Sequence, residues 1–515
     1  MSNAAPAQIA CSHFSVAGQP LTEQLAHALE TAIAKDETKA IILELEPDPA
    51  DFDVDQFLAQ EQLFERFRIL LRKLEVSGKP IVGLIQGPLQ WLQLEIALAC
   101  HTRFAPSGSI QLAFPGLIYG LMPVLGATQR LPRIAGISVA TRMLLKGDRI
   151  TVADAPSWIS VPDTESAVAE WIQRDPQPKQ PWDTEAAETS PTYSQSAVNR
   201  HLLENVYLSL RHRFTPEEIA PTAILRCFQD GLERSIDPGI RLEAEQWAVV
   251  KGSRSTKNRI ETLYRTRMRA LAEGIEVKGL DQAKGTDGLA RVLETIPVVT
   301  KGDPFKTHVT AAYVQEAILM LGEGTSPWLI DNVALNSGMI IGPLAMADLS
   351  GLDQLLEQTL DTPELGTEAR EAIRILSEFT NRSRLGRKTN AGIYDYDAKG
   401  NQSDWAELSQ IFMRSPNQPP AKEIEQRLFA IQAIEALRCV KEGIVKDSSI
   451  ADLASVLGWN YPAGKGGVLA YTEYVDGFPD ICADLRKKLG ERFALPLMQN
   501  GTMIVRGRAG QRKTT

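Results

Sequence analysis

The stretch "GPLQWLQLEIALAC" (87–100) places one carboxylate, Glu95, inside an apolar helical run that follows the strand-like "KPIVGLI" (79–85) and a Gly87-Pro88 turn. An acid delivered by a turn at the start of a helix suits general acid–base chemistry, in which a side chain within hydrogen-bond reach moves a substrate proton. The turn is crowded by Gln90, Trp91 and Gln93, where a backbone that approaches a ligand closely favours glycine. Asp51, Asp53 and Asp55 lie in an earlier loop and offer further carboxylates, although a solvated loop is the simpler reading. His101 follows the helix directly and reads as a surface or capping residue, with no partner at metal-ligand spacing. Cys100 has no paired base and reads as a core thiol.

The elements that must position these groups alternate along the first 160 residues. "KAIILELE" (39–46) is a compact strand, "VDQFLAQEQLFERFRILLRKLEVSG" (54–78) has helical periodicity, and "KPIVGLIQG" (79–87) is a strand again. That alternation implies an α/β layer with parallel strands. From 161 to 200 the composition turns to Pro, Ser, Thr and acids, as in an exposed linker or insertion. Helical patterns dominate from about 200 onward, and "RSPNQPP" (414–420) marks a second break.

The helical part contains a degenerate repeat. "QEAILMLGEG" (315–324) and "IEALRCVKEG" (434–443) align at a constant offset, matching Glu316-Ala317 to Glu435-Ala436 and Glu323-Gly324 to Glu442-Gly443. Further on, Gly338 pairs with Gly458 and Gly342 with Pro462. Two similar helical units stacked on one another are the physical reading of such a duplication.

A chain of 515 residues exceeds what one core accommodates, so two or three domains are expected. A net charge of −9 argues against nucleic acid as a partner. The five cysteines are odd in number, far apart and mostly within apolar patterns, which fits reduced core thiols. There is no run of about 18 apolar residues to span a membrane and no basic leader, so a cytoplasmic protein is expected. The Gly-rich tail with Arg506, Arg508, Arg512 and Lys513 reads as a solvated end.

Residues 79–136, through the strand, the acid within the helix, the Pro115 turn and "GLMP…GATQRLPR" (120–133), resemble the enoyl-CoA hydratase/isomerase (crotonase) superfamily, most closely the α-subunit of the bacterial fatty-acid β-oxidation complex. "GPLAMADLSGLDQL" (342–355), "RLGRKTNAGIYDYDAKG" (384–400) and "GWNYPAGKGGVLAY" (458–471) resemble the helical C-terminal domains of 3-hydroxyacyl-CoA dehydrogenases, and "APTAILRCFQDGLE" (220–233) the linker helices of the same α-subunits. The resemblance implies a crotonase-like ββα-spiral α/β domain over 1–160, a linker or insertion over 161–200 and a helical linker region over 201–295. Two duplicated dehydrogenase C-terminal-type helical domains follow over 296–413 and 414–500, ahead of a flexible basic tail, 501–515. The family's dinucleotide-binding domain is missing: only about residues 272–296 lie in its place, whereas it needs on the order of 150 residues. No G-x-G-x-x-G follows a strand, "GKGG" (464–467) matches structural glycines, and Thr307 and His308 stand where the family has an Asn-Arg pair. No NAD site is therefore expected.

By the same resemblance Glu95 holds the position of the first hydratase carboxylate, while Gly116 occupies the position of the second. Trp91, Leu92 and Gln93 replace the glycines that bring an oxyanion donor to the thioester, and with Phe114 and Pro115 they are the candidates for lining a substrate pocket. The loop "PDPADFDVDQF" (47–57), where the other oxyanion donor belongs, contains no glycine and has Pro49, which lacks an N–H. Arg130 and Arg133 read as structural ion-pair partners. The function implied is that of a degenerate β-oxidation α-subunit homologue without dehydrogenase activity, serving mainly in assembly with a thiolase-like β-subunit and with itself. The alternative is an enoyl-CoA hydratase/isomerase- or hydrolase-type enzyme that binds a CoA thioester and works through Glu95 alone; a CoA-ester sensor is weaker.

Overall fold

The structure is a computed structural model that describes residues 10–17, 20–47, 52–155, 157–162, 166–184, 201–206, 208, 215, 217–277, 279–283, 285–295, 297, 303–361 and 366–496. The chain divides into two compact units, residues 1–210 with 218–257 and residues 211–217 with 258–515.

The first unit runs, in chain order, through β1 (Cys11–Val16), α1 (Glu23–Ala34), β2 (Ala40–Leu45), α2 (Val54–Ala59), α3 (Glu61–Glu75), β3 (Ile81–Ile85), β4 (Leu89–Gln90), α4 (Trp91–Ala99), β5 (Thr102–Phe104), β6 (Gln111–Ala113), α5 (Ala127–Ala135), α6 (Ile137–Thr141), β7 (Ile150–Thr151), α7 (Ala167–Arg174), α8 (Ile219–Gln229) and α9 (Ile236–Gly252). Strands β1, β2, β3 and β5 form a parallel sheet in that order. Its central strands β2 and β3 are short aliphatic runs such as "AIILEL", nearly all buried, as the middle of a parallel sheet covered by crossover helices requires, whereas the edge strand β1 is largely accessible. Helix α3 buries Leu63, Phe64, Phe67, Leu70, Leu71 and Leu74 along one stripe and keeps charge on the other. A second sheet, in the order β4-β6-β7, is only two or three residues deep. It brings the chain to residue 90 immediately before α4. This is the crotonase-like α/β layer expected from the sequence.

Within 161–200, read from composition as a linker or insertion, the described residues include a folded stretch. Residues 166–184 fold onto the first unit, where the buried Gln180 side chain donates to the Ala99 carbonyl at 2.9 Å and Asp183 accepts from Arg72 at 2.9 Å. Two anchors suffice to hold a Pro-rich segment down, and composition does not reveal them. The helical region 201–295 is likewise divided, because α8 and α9 pack against α5 in the first unit and the chain from Asn258 belongs to the second.

In the second unit the main helices are α10 (Pro304–Gly322), α11 (Pro327–Asn336), α12 (Pro343–Ser350), α13 (Ala421–Lys441) and α14 (Ser448–Trp459). One continuous apolar core runs from Phe305 to Phe493, so the segments 296–413 and 414–500 share an interior. Helices α10 and α13 pack along each other and end identically. Gly324 and Gly443 take left-handed φ of +87° and +78°, while Thr325 N–H and Ile444 N–H reach back to the Met320 and Cys439 carbonyls. This glycine-terminated cap satisfies the last carbonyls of each helix, and its recurrence at a constant offset supports the duplication.

The register further on is corrected. Asp331 accepts the Leu344 and Ala345 N–H groups at the start of α12, and Asp452 accepts those of Leu469 and Ala470. Gly342 lies against Asp331 and Gly467 against Asp452. The counterpart of Gly342 is thus Gly467 rather than Pro462, because the second copy carries extra residues between its aspartate and its glycine. No helix among the described residues is long and apolar enough to cross a membrane.

A Cβ at Gly342 would fall 2.2 Å from Asp331 Cγ, and one at Gly467 2.4 Å from Asp452 Cβ, whereas Gly458 has nothing nearer than 3.9 Å. Gly342→Ala and Gly467→Ala are each expected to destabilise by about 1–3 kcal/mol through overpacking. Gly458→Ala, inside α14, is expected to be neutral or to stabilise by up to about 1 kcal/mol through helix propensity. Urea unfolding of the three variants reads the difference, and equal effects would refute the revised register.

Candidate functional site

The chain leaves β4 at Gln90 and enters α4 with no side-chain cap. Trp91, the first helical residue, has φ +44°. A residue with a Cβ pays roughly 1–2 kcal/mol in that left-handed region, where glycine pays nothing. The indole repays it. It is 2% exposed and contacts Phe57 edge-on at 5.3 Å, Phe52 at 5.2 Å and Phe114 at 6.0 Å between ring centroids. Trp247 of α9 extends the cluster through Phe57 and Phe64. Burying up to about 250 Å² of aromatic surface at about 25 cal/mol/Å² is worth about 6 kcal/mol. That exceeds the strain together with the cost of the indole Nε1, which is buried with no hydrogen-bond partner among the described residues.

The tip of the same indole lies over Gly116, in the 3-10 turn Pro115–Tyr119. A Cβ at Gly116 would stand 2.1 Å from Trp91 Cη2 and 2.3 Å from Cζ3. Glycine is required here by close approach. The two departures noted in the sequence, a tryptophan in place of a turn glycine and a glycine in place of an acid, are therefore one spatial change. Leu92, Gln93, Phe114, Pro115 and Gly116 are all buried around it. The residues expected to line a substrate pocket are buried, and the indole occupies the space directly over Gly116.

Glu95 is 0% exposed, one turn into α4. Its Oε1 accepts the Val124 N–H at 3.0 Å, and its Oε2 accepts those of Leu125 at 2.7 Å and Ala127 at 3.1 Å. The N–H groups between and beyond these point to a second buried acid. Gly126 N–H and Thr128 N–H donate to Glu243 of α9 at 2.5 and 2.9 Å, and the Thr128 hydroxyl adds a third bond at 2.5 Å. A run of backbone amides leading into α5 is thus shared between two carboxylates from different helices. Burial pushes Glu95 up to about 8, repulsion from Glu243 adds to the shift, and the three N–H donors oppose it. Glu243 is raised by burial as well, against the pull of Thr128 and Gly126.

Glu243 was not singled out in the sequence, yet a signal exists. It sits on the same helical stripe as Ile236, Ile240, Trp247 and Val250, all of them buried, and an acid in an apolar stripe demands a partner.

The remaining candidates have structural places. Pro49 and Asp51 lie outside the described residues. Asp53 caps α2, accepting the Gln56 N–H at 2.8 Å, and Asp55 is exposed in the first turn of the same helix. His101 accepts the Ile81 N–H on Nδ1 at 3.1 Å and donates from Nε2 to the Glu75 carbonyl at 3.0 Å, which fixes the neutral tautomer in line with its burial-lowered pKa. Cys100 is buried and its thiol is pushed up to about 12 by burial. Arg130 is fully buried on Glu75 at 2.6 Å, and Arg133 donates to the Gly231 and Arg234 carbonyls. In the second unit the side chains of His308, Glu435 and Cys439 come together, the last two one turn apart on α13 and the first brought to them by α10.

Residues 18–170 match the family model of enoyl-CoA hydratase/isomerase, and residues 305–396 match that of the 3-hydroxyacyl-CoA dehydrogenase C-terminal domain. The chain is built on the plan of a fatty-acid oxidation α-subunit. Solved structures similar to this α-subunit-like chain include an enoyl-CoA hydratase from Mycobacterium avium subsp. paratuberculosis, 18% identical, covering 48% of this chain and 92% of its own with a TM-score of 0.32. An enoyl-CoA hydratase/isomerase from Pseudoalteromonas atlantica is 18% identical over 50% of this chain and 94% of its own, TM-score 0.33. An enoyl-CoA hydratase from Mycobacterium tuberculosis is 21% identical over 48% and 97%, TM-score 0.30. The assignment of the α-subunit plan rests on the two family matches and their order, not on these scores.

Two outcomes follow for this α-subunit-like chain. Gly116→Ala is expected to destabilise by about 1–3 kcal/mol with Trp91 present and by less than about 0.5 kcal/mol in a Trp91→Gly background, a coupling read by a double-mutant cycle. Additive effects would show that the indole does not fill this space. The raised Glu95 pKa means that the folded state keeps a proton the unfolded state releases above about 4.5, so stability declines as pH rises from there to about 8. The slope reaches at most about 1.4 kcal/mol per pH unit for one proton. Thermal melts across this range should show a shallower decline for Glu243→Gln than for the parent chain, and an unchanged slope would dissociate the two acids.

Proposed function

We propose that the chain is a non-catalytic homologue of the fatty-acid β-oxidation α-subunit, retained for assembly with a thiolase-like acyl-CoA enzyme. The observation that carries this reading is the Trp91 indole packed over Gly116 in the place of the second carboxylate. Hydration of an enoyl thioester needs a positioned water, an acid–base pair and two oxyanion N–H donors. Here the acid–base pair is reduced to one member, and that member, Glu95, has both oxygens engaged by backbone amides. A general base must come within hydrogen-bond reach of the proton it takes, and a fully buried carboxylate facing three amide donors does not offer that reach.

The proposal includes no NAD and no hydride transfer. The interval of about 272–296 is far shorter than a dinucleotide-binding domain, and within it Gly285–Glu294 is a helix. The thiolase-like partner follows from the α-subunit plan, as does self-association through the helical half. The continuous core of the second unit and its twice-built helix caps show where the sequence has kept its packing rules. A cytoplasmic location belongs to the same proposal.

The test uses the full chain. Purified protein and Glu95→Gln, the latter checked for folding by circular dichroism, are assayed for hydration and isomerisation of short and medium enoyl-CoA substrates, and tagged protein is co-expressed with the thiolases of the same organism. No turnover in either protein, together with recovery of a thiolase in stoichiometric amount, is the expected result. Turnover that Glu95→Gln abolishes would establish the single-carboxylate enzyme instead, and failure to recover any thiolase would remove the assembly role.

A further inference from the structure

Outside the hydratase-like site, the second unit has an open cavity of about 450 Å³ whose walls include Thr307, His308, Gln315, Glu435, Arg438 and Arg492. At its edge His308 of α10 faces α13, with Nδ1 3.3 Å from Glu435 Oε1. Cys439 stands one turn beyond Glu435 on the same side of α13, and the nitrogen, oxygen and sulfur of the three residues all lie within 4.8 Å of one another. We propose that His308, Glu435 and Cys439 form a binding site for a divalent zinc-class cation, with its remaining coordination position open to the cavity.

The donor set is the reason for the metal class. An imidazole nitrogen, a carboxylate oxygen and a thiol sulfur are the three ligand types that zinc takes, and two of them at i and i+4 on one helix with the third from a facing helix point toward a common centre. Tetrahedral ligands at about 2.0–2.3 Å from zinc are about 3.3–3.6 Å apart. The His308–Glu435 separation already falls there, and closing the trio requires a shift of at most about 1.5 Å by side chains, one of which, His308, is 46% exposed.

The carboxylate is held from behind. Arg438 donates to Glu435 Oε2 at 2.9 Å and to the Arg492 carbonyl at 2.8 Å, which leaves Oε1 directed at His308. Such an outer contact orients a ligand before the ion arrives. Cys439 is fully buried behind Glu435 and His308, and binding an ion there releases the thiol proton as the sulfur becomes a thiolate ligand.

The experiment is a titration of the full chain, stripped with a chelator and kept reduced, with Co²⁺ followed by Zn²⁺. One equivalent of Co²⁺ should produce an intense near-ultraviolet thiolate-to-cobalt band with visible bands of tetrahedral strength, and Zn²⁺ should erase both. Cys439→Ser should abolish the ultraviolet band. His308→Ala, at an exposed position where folding is not at risk, should weaken Zn²⁺ binding at least tenfold in competition with a fluorescent chelator. Absence of the thiolate band in the parent chain, or unchanged Zn²⁺ affinity in His308→Ala, would overturn the site.

Discussion

The first unit depends on how the backbone amides of residues 124–128 are satisfied. Five successive N–H groups enter α5 with no carbonyl of their own to meet, the general condition of a helix start. Two carboxylates divide them: Glu95 takes Val124, Leu125 and Ala127, and Glu243 takes Gly126 and Thr128. Helices α4, α5 and α9, far apart in sequence, are thereby fixed to one point. A buried donor left without a partner costs about 1–3 kcal/mol, so neither acid is dispensable to the fold. Two buried like charges also repel, which raises the proton affinity of the pair. The same interaction that secures the fold engages both carboxylate oxygens of Glu95 with backbone donors.

Trp91 completes that change from the other side. A tryptophan at φ +44° is tolerated only where packing outweighs the backbone cost, and the packing available is the volume above Gly116 together with the rings of Phe52, Phe57 and Phe114. Restoring an acid at 116 alone would drive its Cβ into the indole. Restoring a glycine at 91 alone would leave an apolar void bounded by aromatic rings. Each residue makes a change at the other costly, so the pair Trp91 and Gly116 is coupled by packing.

Much of the scaffold was legible because it is local. The strand at 39–46, the helical periodicity over 54–78 and the strand at 79–87 appear in the structure within a few residues, since each is dictated by hydrophobic period and flanking breaks. The crowding at Trp91 was also legible, but whether the ring would flank or fill the cavity depends on a backbone φ and a rotamer that sequence does not fix. Glu243 was missed because its partners lie more than a hundred residues away, and the only local trace is an acid on an apolar stripe. The folding of 166–184 was not legible for a related reason: its composition suits a linker or an insertion, and Gln180 and Asp183 find their partners far off in sequence.

The second unit shows what the chain has conserved in its architecture when one copy is set beside the other. Both copies end their long helix with a left-handed glycine and both turn an aspartate onto two successive N–H groups further along the chain, at the start of α12 in the first copy and just ahead of the helical turn Tyr471–Tyr474 in the second, with a glycine pressed against that aspartate. The second copy reaches this contact through a longer loop, so the contact has been kept while the spacing was not. A repeat that preserves cap, acid and close-packed glycine across an insertion is specified by the demand to satisfy helix ends in a shared core. That demand is independent of any reaction. It explains how both copies reach the same contact across loops of different length.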